Sequence, residues 1–390
     1  MHPTSKNYYW RIAGFYFFYY AFVGMFAPYW SLYLKSIHFS AIEIAILISI
    51  QPVMRMIAPN IWGWLADRSG NRLLVIRVAA ALSVVCYLGV FATTRFWGMF
   101  VVLSLLGFFW SASMPLVEAT TLTYLGKNSA HYGRIRSWGS IGFIVTVLGL
   151  GYALDYMAIV WLLWVGVVME IGILLFAYLI PATEVVAHHT DQQPVKKILL
   201  QPRVIALFSA CFLMSVTHGP YYTFFSIYLV DHGYSKGAVG GLWALGVISE
   251  IGVFFIMPWL ARRFGYTRIL LISFSAAIIR FLLIGWGVDF LLLLLIAQMM
   301  HAATFGAYHA ASVGLVHEFF QGRHQSKGQA LFGSLTYGAG GMVGGLLSGP
   351  IWQHYGASVL YSGSSVVALV GVLLVWRLSR MNAQHTAQAI

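Results

Sequence analysis

Long apolar runs broken by short polar stretches set the pattern of this chain. Leu73–Thr94, Phe96–Leu116, Ile159–Ile180, Ile269–Val288 and Val359–Trp376 each come close to or exceed the ~20 residues a helix needs to cross a ~30 Å hydrocarbon layer. Followed along the whole chain, the pattern predicts twelve spans: 10–35, 41–65, 73–94, 96–122, 136–155, 158–180, 203–230, 236–260, 268–287, 289–316, 328–352 and 357–377. The ~10-residue alternation of a membrane β-barrel is absent from the sequence. The reading is an all-α membrane protein with twelve transmembrane helices.

Composition agrees. Of the 390 residues, 60% are hydrophobic and 9% charged, against about 25% charged in a soluble domain. The mean hydropathy is +0.79. Too little polar surface exists to cover a core in water. A net charge of +12 would suggest nucleic acid in a soluble protein, but here topology accounts for it. With the amino terminus inside, 18 of the 23 Lys and Arg residues fall on the cytoplasmic side, as the positive-inside rule requires. Lys35, Arg95 and Lys236 fall outside, and Arg55 and Arg280 lie within spans. Both termini are therefore expected in the cytoplasm, with no nucleic-acid partner. No short apolar core with a small-residue cleavage site opens the chain, so the first span is expected to stay as an anchor. Cys86 and Cys211 fall in predicted spans and read as reduced packing residues.

The chain repeats itself at an offset of half its length. Slid by 195 residues, "SLYLKSIHFS" (31–40) falls on "SIYLVDHGYS" (226–235), and "WLADRSG" (64–70) falls on "WLARRFG" (259–265). Shared apolar character alone does not put Trp, Arg and Gly in register. Duplicated six-helix bundles are a transporter architecture, with substrate held near the midplane. The expected organisation is an amino-terminal bundle at 1–180, a cytoplasmic linker at 181–202 and a carboxy-terminal bundle at 203–390, the bundles being pseudo-symmetric.

"GWLADRSGNR" (63–72) resembles the loop signature of the major facilitator superfamily. Gly63, Asp67, Arg68, Gly70 and Arg72 match, while Asn71 stands where a basic residue is usual. The resemblance implies a gating loop on the cytoplasmic side, in which glycine permits close helix approach and Asp67 pairs with arginines or a helix N-terminus. "PLVEATTLTYLGKNSAHYGRIRSWGSIGF" (115–143) resembles the lactose permease group of proton symporters, where the counterparts of Glu118 and Arg136 flank the sugar. Phe143 replaces the tryptophan that stacks on sugar there. Around His301, Gln298 and Thr304 replace that group's Lys and Glu. "HGPYYTFFSIYL" (218–229), "GGLWALGVISEI" (240–251) and "QMMHAATFGAYH" (298–309) are similar to the phenylpropionate permeases, which take up aromatic carboxylates with protons. These resemblances imply a proton symporter for a small organic solute, an aromatic carboxylate such as phenylpropionate first, in a bacterial inner membrane, monomeric and without cofactors.

Ionisable groups inside spans are costly and mark pathways, partners or relays. Here they are Arg55, Glu118, Glu170, His218, Glu250, Arg280, His301 and His309. Arg55 and Glu250 occupy equivalent positions of the repeat. A carboxylate substrate suits Arg55, with Arg136, because guanidinium holds it bidentately; ring faces at Tyr221, Tyr222, Phe225 and Trp243 suit an aromatic one. Each Tyr or Trp near a helix end also fits an interfacial belt. Glu250, Arg280, His301 and His309 are the proton-coupling candidates, with Arg280 expected to balance Glu250 or His301. Glu118 and Arg136 are expected to form a charge pair, Glu170 an interhelical hydrogen bond, and His218 a bond to a neighbouring helix.

Other classes fit less well. No G-x-x-x-x-G-K-[ST] motif serves an ATP-driven pump. His188 and His189 have only Asp191 nearby in the linker, which reads as solvated loop and not a metal site. No nucleophile–base arrangement suggests an enzyme. A sugar or nucleoside symporter remains as a second substrate class, and a non-transporting sensor on the same scaffold as a second functional class.

Overall fold

In the computed structural model, residues 3–126, 131–181 and 195–388 are described. They form helices joined by short turns, as lipid demands when every backbone N–H and C=O must be satisfied within its own segment. The spanning helices are α1 (Pro3–Ser36), α2 (Ala41–Ser69), α3 (Arg72–Leu88), α4 (Phe96–Leu125), α5 (Tyr132–Tyr156) and α6 (Trp161–Leu179). After a one-turn helix at Lys196–Leu199 come α7 (Pro202–Asp231), α8 (Lys236–Phe264), α9 (Tyr266–Trp286) and α10 (Leu291–Phe319). The last continuous span, Gln325–Gln384, breaks at Gly356, whose φ is 79°. It thus supplies α11 up to residue 355 and α12 from 357. Several helices run a turn or more past the predicted spans, because hydropathy reports the hydrocarbon layer and the backbone continues into the interface. Linker residues 182–194, with His188, His189 and Asp191, lie outside the described residues, as does Lys127.

Two helices depart from α geometry in a way the apolar pattern does not encode. Ala302–Ala307 in α10 and Ser334–Gly340 in α11 are π-helical. Such bulges shift the helical register and recur at functional sites.

The structure divides into two compact units: Met1–His189 with Tyr234–Ala244, and Thr190–Gly233 with Leu245–Ile390. The first turns of α8 thus belong to the first unit. Asp155, at the end of α5, accepts hydrogen bonds from the backbone N–H groups of Lys236 at 2.6 Å and Gly237 at 3.0 Å. Ser235 Oγ accepts from Ala238 N at 3.1 Å. Three donors of the first turn of α8, which lack intrahelical partners, are satisfied in this way. Asp155→Ala should cost about 1 kcal/mol, the usual worth of a cap, read as a lowered midpoint of thermal unfolding in detergent; an unchanged midpoint would show that Ser235 suffices.

The sequence repeat has a packing counterpart. A Cβ on Gly24 of α1 would lie 2.8 Å from the carbonyl oxygen of Phe143 on α5, and one on Gly219 of α7 would lie 2.2 Å from the carbonyl carbon of Gly344 on α11. The two glycines are 195 residues apart. Each lets the first helix of its half reach the backbone of the fifth, a contact any larger residue would wedge open.

The loop at 63–72 is built differently from its expectation. Gly70, with φ 63°, ends α2 in the left-handed conformation that glycine adopts without a Cβ penalty. A Cβ on Gly63 would meet nothing within 4 Å, so close helix approach is not what that glycine provides. Asp67 is exposed and makes no hydrogen bond or ion pair among the described residues, so the pairing expected of it is not made. Arg68 lies 5.4 Å over the Trp64 ring. Asn71, the departure from the motif, caps α3: its Oδ1 accepts from Leu74 N at 3.0 Å. A basic side chain there could not accept that bond.

Candidate functional site

Within the first unit, the aromatic run Phe15–Tyr20 of α1 meets the polar residues of α2, α4 and α5. Arg55, exposed on α2, sits 5.7 Å over the ring of Trp110. Trp110 stacks on Tyr19 with centroids 4.1 Å apart and planes 14° from parallel. Next along α1, Tyr20 lies under the Arg136 guanidinium, 4.0 Å from centroid to Cζ, and its hydroxyl accepts from Arg136 Nη2. Gly139 makes room for this: a Cβ there would lie 2.6 Å from Tyr20 Cδ2 and 2.9 Å from Arg136 Nη1. Glu118 Oε1 accepts from the Tyr132 hydroxyl at 3.1 Å. The expected Glu118–Arg136 pair is therefore not made; no ion pair joins them among the described residues, and a tyrosine takes up each partner. Arg55 makes no ion pair among the described residues either. It is a cation held on an aromatic face with its donors unspent. Phe143 is 8% exposed, and its backbone is the surface on which Gly24 packs.

In the second unit, α7, α8, α9 and α10 bring a polar cluster together. His301 Nε2 and Glu250 Oε1 are 2.7 Å apart, the side chains 6% and 14% exposed. Two glycines admit this contact: a Cβ on Gly246 would come 3.2 Å from His301 Cδ2, and one on Gly306 would come 2.8 Å from Val253 and 3.5 Å from Glu250 Cγ. Arg280 is fully buried. Its Nε donates to the Ala297 carbonyl at 2.9 Å, and its Nη1 to Thr304 Oγ1 and His218 Nε2, each at 3.2 Å. Its Cζ lies 4.5 Å from the centroid of the Tyr221 ring. Since guanidinium only donates, His218 Nε2 accepts, and the imidazole proton resides on Nδ1, 2.9 Å from the Met214 carbonyl. The bond from His218 to a neighbouring helix is thus present, and its partner is Arg280. No ion pair joins Arg280 to Glu250 among the described residues, so the balance expected of it is not a direct contact. Arg280 Nη2, Gln298 Nε2 and His301 Nδ1 are buried without a hydrogen-bond partner among the described residues.

Tyr221 and Phe225 are 1% and 0% exposed, which takes them out of an interfacial belt. Tyr221 donates to Gln298 Oε1 at 3.1 Å, and its ring lies 4.8 Å from Phe225 and 5.6 Å from His301. Tyr222 is half-buried. Trp243 is buried, 4% exposed, in the part of α8 that belongs to the first unit. Along α10, Phe305 stacks between His301 at 5.2 Å and His309 at 6.5 Å. His309 Nδ1 is 2.6 Å from the Tyr337 hydroxyl, so the π-helical segment of α11 is fastened to α10 immediately after its own π-helical segment. Tyr337→Phe should leave the Glu250–His301 contact in place and release this fastening. The measurement is cysteine accessibility along α11, which should rise; an unchanged pattern would show that packing alone holds the segment.

Sequence reasoning did not pick out Tyr19, Tyr20, Trp110, Tyr132, Phe305 or Tyr337. The one available signal was the density of rings in "FYFFYY" (15–20). Glu170 of α6 is fully buried and faces the Ser83 hydroxyl of α3, the interhelical neighbour expected for it.

The sequence model of the MFS_1 like family matches residues 9–362. The chain belongs to that family. A protein of Escherichia coli (strain K12) described as a probable 3-phenylpropionic acid transporter is 30% identical over 373 residues, covering 92% of this chain and 93% of the relative. The maltose permease of Geobacillus stearothermophilus is 26% identical over 376 residues, covering 94% and 93%. The crystal structure of the nucleoside transporter NupG superposes with a TM-score of 0.83 at 17% identity, covering 95% of this chain and 99% of that one. This MFS_1 like protein is a secondary transporter of the major facilitator type and an integral multi-pass membrane protein, not an enzyme.

Proposed function

We propose that this transporter moves an aromatic monocarboxylate, of the size of 3-phenylpropionate, together with protons. The observation that carries the proposal is the Glu250–His301 contact at 2.7 Å, at the middle of a span, with His301 buried and Glu250 half-buried. A carboxylate placed there at considerable cost serves as a proton carrier whose two states differ in charge. When Glu250 holds a proton, its interaction with His301 changes from an ion–dipole contact to a neutral hydrogen bond. When it releases the proton, the carboxylate again needs that partner. His309 with Tyr337, and Arg280 with His218, complete the polar surroundings of this step.

The carboxylate of the substrate is assigned to Arg55, supported by Arg136. Arg55 is exposed and unpaired among the described residues, and a nucleoside or a sugar carries no charge for it to meet. Trp110, Tyr19 and Tyr20, with Glu118 and Tyr132 beside them, supply ring faces and hydroxyls. Trp243, in the first turns of α8, and Phe143 belong to the same unit, while the second unit has an aromatic group of its own in Tyr221, Tyr222 and Phe225. The 63–72 loop takes the gating role. With both termini in the cytoplasm, a bacterial inner membrane is the setting, and the monomer is the working unit.

The test is uptake of labelled 3-phenylpropionate into proteoliposomes with and without an imposed pH gradient, with maltose and uridine alongside. Accumulation of the acid above its equilibrium level only under the gradient is expected. Gradient-driven uptake of maltose or uridine in its place would move the protein to the second substrate class. Saturable binding without counterflow would make it a sensor.

A further inference from the structure

Phe305 is an apolar ring set among polar ones. It is half-buried on α10. Among the described residues, the rings within 6.5 Å of it are His301 at 5.2 Å and His309 at 6.5 Å on its own helix, His218 of α7 at 6.3 Å and Tyr337 of α11 at 6.4 Å. The two imidazoles of α10 stack on it from either side, with planes 19° and 13° from parallel.

The π-helical segment Ala302–Ala307 makes this column. An α-helix turns about 100° per residue, so positions eight apart stand about 80° out of line. A π turn takes up one extra residue, and eight positions then advance as seven do, to within about 20° of two full turns. His301 and His309 therefore share a face, with Phe305 between them. The column runs from the transport cluster towards the exposed end of the helix. At its start, buried His301 meets Glu250 of α8 at 2.7 Å, with the Tyr221 ring of α7 at 5.6 Å and Arg280 of α9 within electrostatic reach. At its other end His309 is half-buried, its Nδ1 2.6 Å from the Tyr337 hydroxyl. Glu250 and Cys211 of α7 lie within electrostatic reach of Tyr337. Two turns further along α10, His317 is exposed.

A hydrogen bond spans about 3 Å. Two imidazoles with a whole ring between them exchange a proton only through water, and an apolar ring keeps water out. Taking Glu250 as the proton carrier of the proposed function, we propose that Phe305 is the proton gate of this transporter: it closes the way from Glu250 and His301 to His309 and Tyr337, and the proton leaves towards the His317 end of α10 when the ring moves aside. On release the Glu250 O–H bond breaks, water carries the proton past position 305, and an N–H bond forms on His309 Nε2, the nitrogen not turned to Tyr337. The imidazolium then gives that proton to water at the exposed end of the helix. The π-helical backbone supplies the movement. Its return to α geometry would turn His301 and His309 about 80° out of line and withdraw the ring from between them.

The test needs no substrate. Full-length protein in proteoliposomes holding a pH-sensitive dye is given a pH gradient, and the decay of the gradient is followed. Phe305→Ala should let it decay several-fold faster than wild type. Phe305→Leu, which returns apolar bulk, should slow the decay again. Adding His309→Gln to Phe305→Ala should also restore slow decay, because the path then lacks its acceptor; a simple hole in the packing would leak with or without the imidazole. In uptake assays Phe305→Ala should lose gradient-driven accumulation of 3-phenylpropionate and keep downhill exchange. If Phe305→Ala does not fold, Phe305→Val replaces it in every arm. Decay no faster than wild type, or fast decay that persists with His309→Gln, overturns the proposal. If wild type accumulates no aromatic acid under the pH gradient, the proposed function falls, and the decay measurements alone decide the gate.

Discussion

Glu250→Gln is expected to abolish accumulation of 3-phenylpropionate against its gradient while leaving binding and downhill exchange intact. Glutamine has the size of glutamate and can still meet His301 Nε2, now 2.7 Å from Glu250 Oε1. It cannot ionise, so it holds the cluster permanently in the state of the protonated carboxyl. A carrier locked in that state exchanges loaded substrate across the membrane but has no proton to release, and uphill transport stops. Flow dialysis of the purified variant reads binding, and preloaded proteoliposomes read exchange. A variant that still concentrates substrate under a pH gradient would place coupling elsewhere, with His301 and His309 next in line. Gly246 and Gly306, which make room for the contact, keep the side chains close in the variant too, so a loss of binding would point to misfolding and not to coupling.

Arg55→Lys is expected to weaken binding of 3-phenylpropionate ten- to a hundredfold, about 1.4–2.7 kcal/mol, and to change binding of 3-phenylpropionamide much less. The guanidinium is exposed, lies 5.7 Å over Trp110 and makes no ion pair among the described residues. Its planar fork meets a carboxylate with two parallel bonds, whereas ammonium is a point charge that also loses the stacking on the indole. Titrations of both ligands against wild type and variant separate the roles. Equal losses for acid and amide would make Arg55 a structural residue.

Much of the architecture was legible because it obeys periodicity and solvent. Among the described residues each of the twelve apolar runs is helical, the last two continuous but for the break at Gly356, and the 195-residue repeat reappears as the matched close approaches of Gly24 and Gly219. Glu250 and His301, picked out as costly groups in apolar surroundings, do meet. Other expectations depended on which side chains would be neighbours, and there the reading failed. Glu118 and Arg136 stand 18 residues apart on consecutive helices, and charge alone suggested a pair. The structure gives each a tyrosine, Tyr132 and Tyr20, because α1 lies against α5 and brings its ring-rich face to Arg136. Arg280 was matched to Glu250 by sign, yet its donors go to Ala297, Thr304 and His218.

By itself the sequence determined the solvent, the number of spans and the duplication, since lipid selects for apolar length and helical backbone wherever the chain crosses. It also determined which few ionisable groups would bear the cost of burial. Only the tertiary structure decided their partners, because a hydrogen bond spans about 3 Å and depends on how each helix is rotated about its axis. That rotation follows from packing contacts such as Gly139 beneath Arg136, Gly306 beside Glu250 and the paired π-helical segments joined by His309 and Tyr337. No local pattern of apolar and polar residues encodes such contacts.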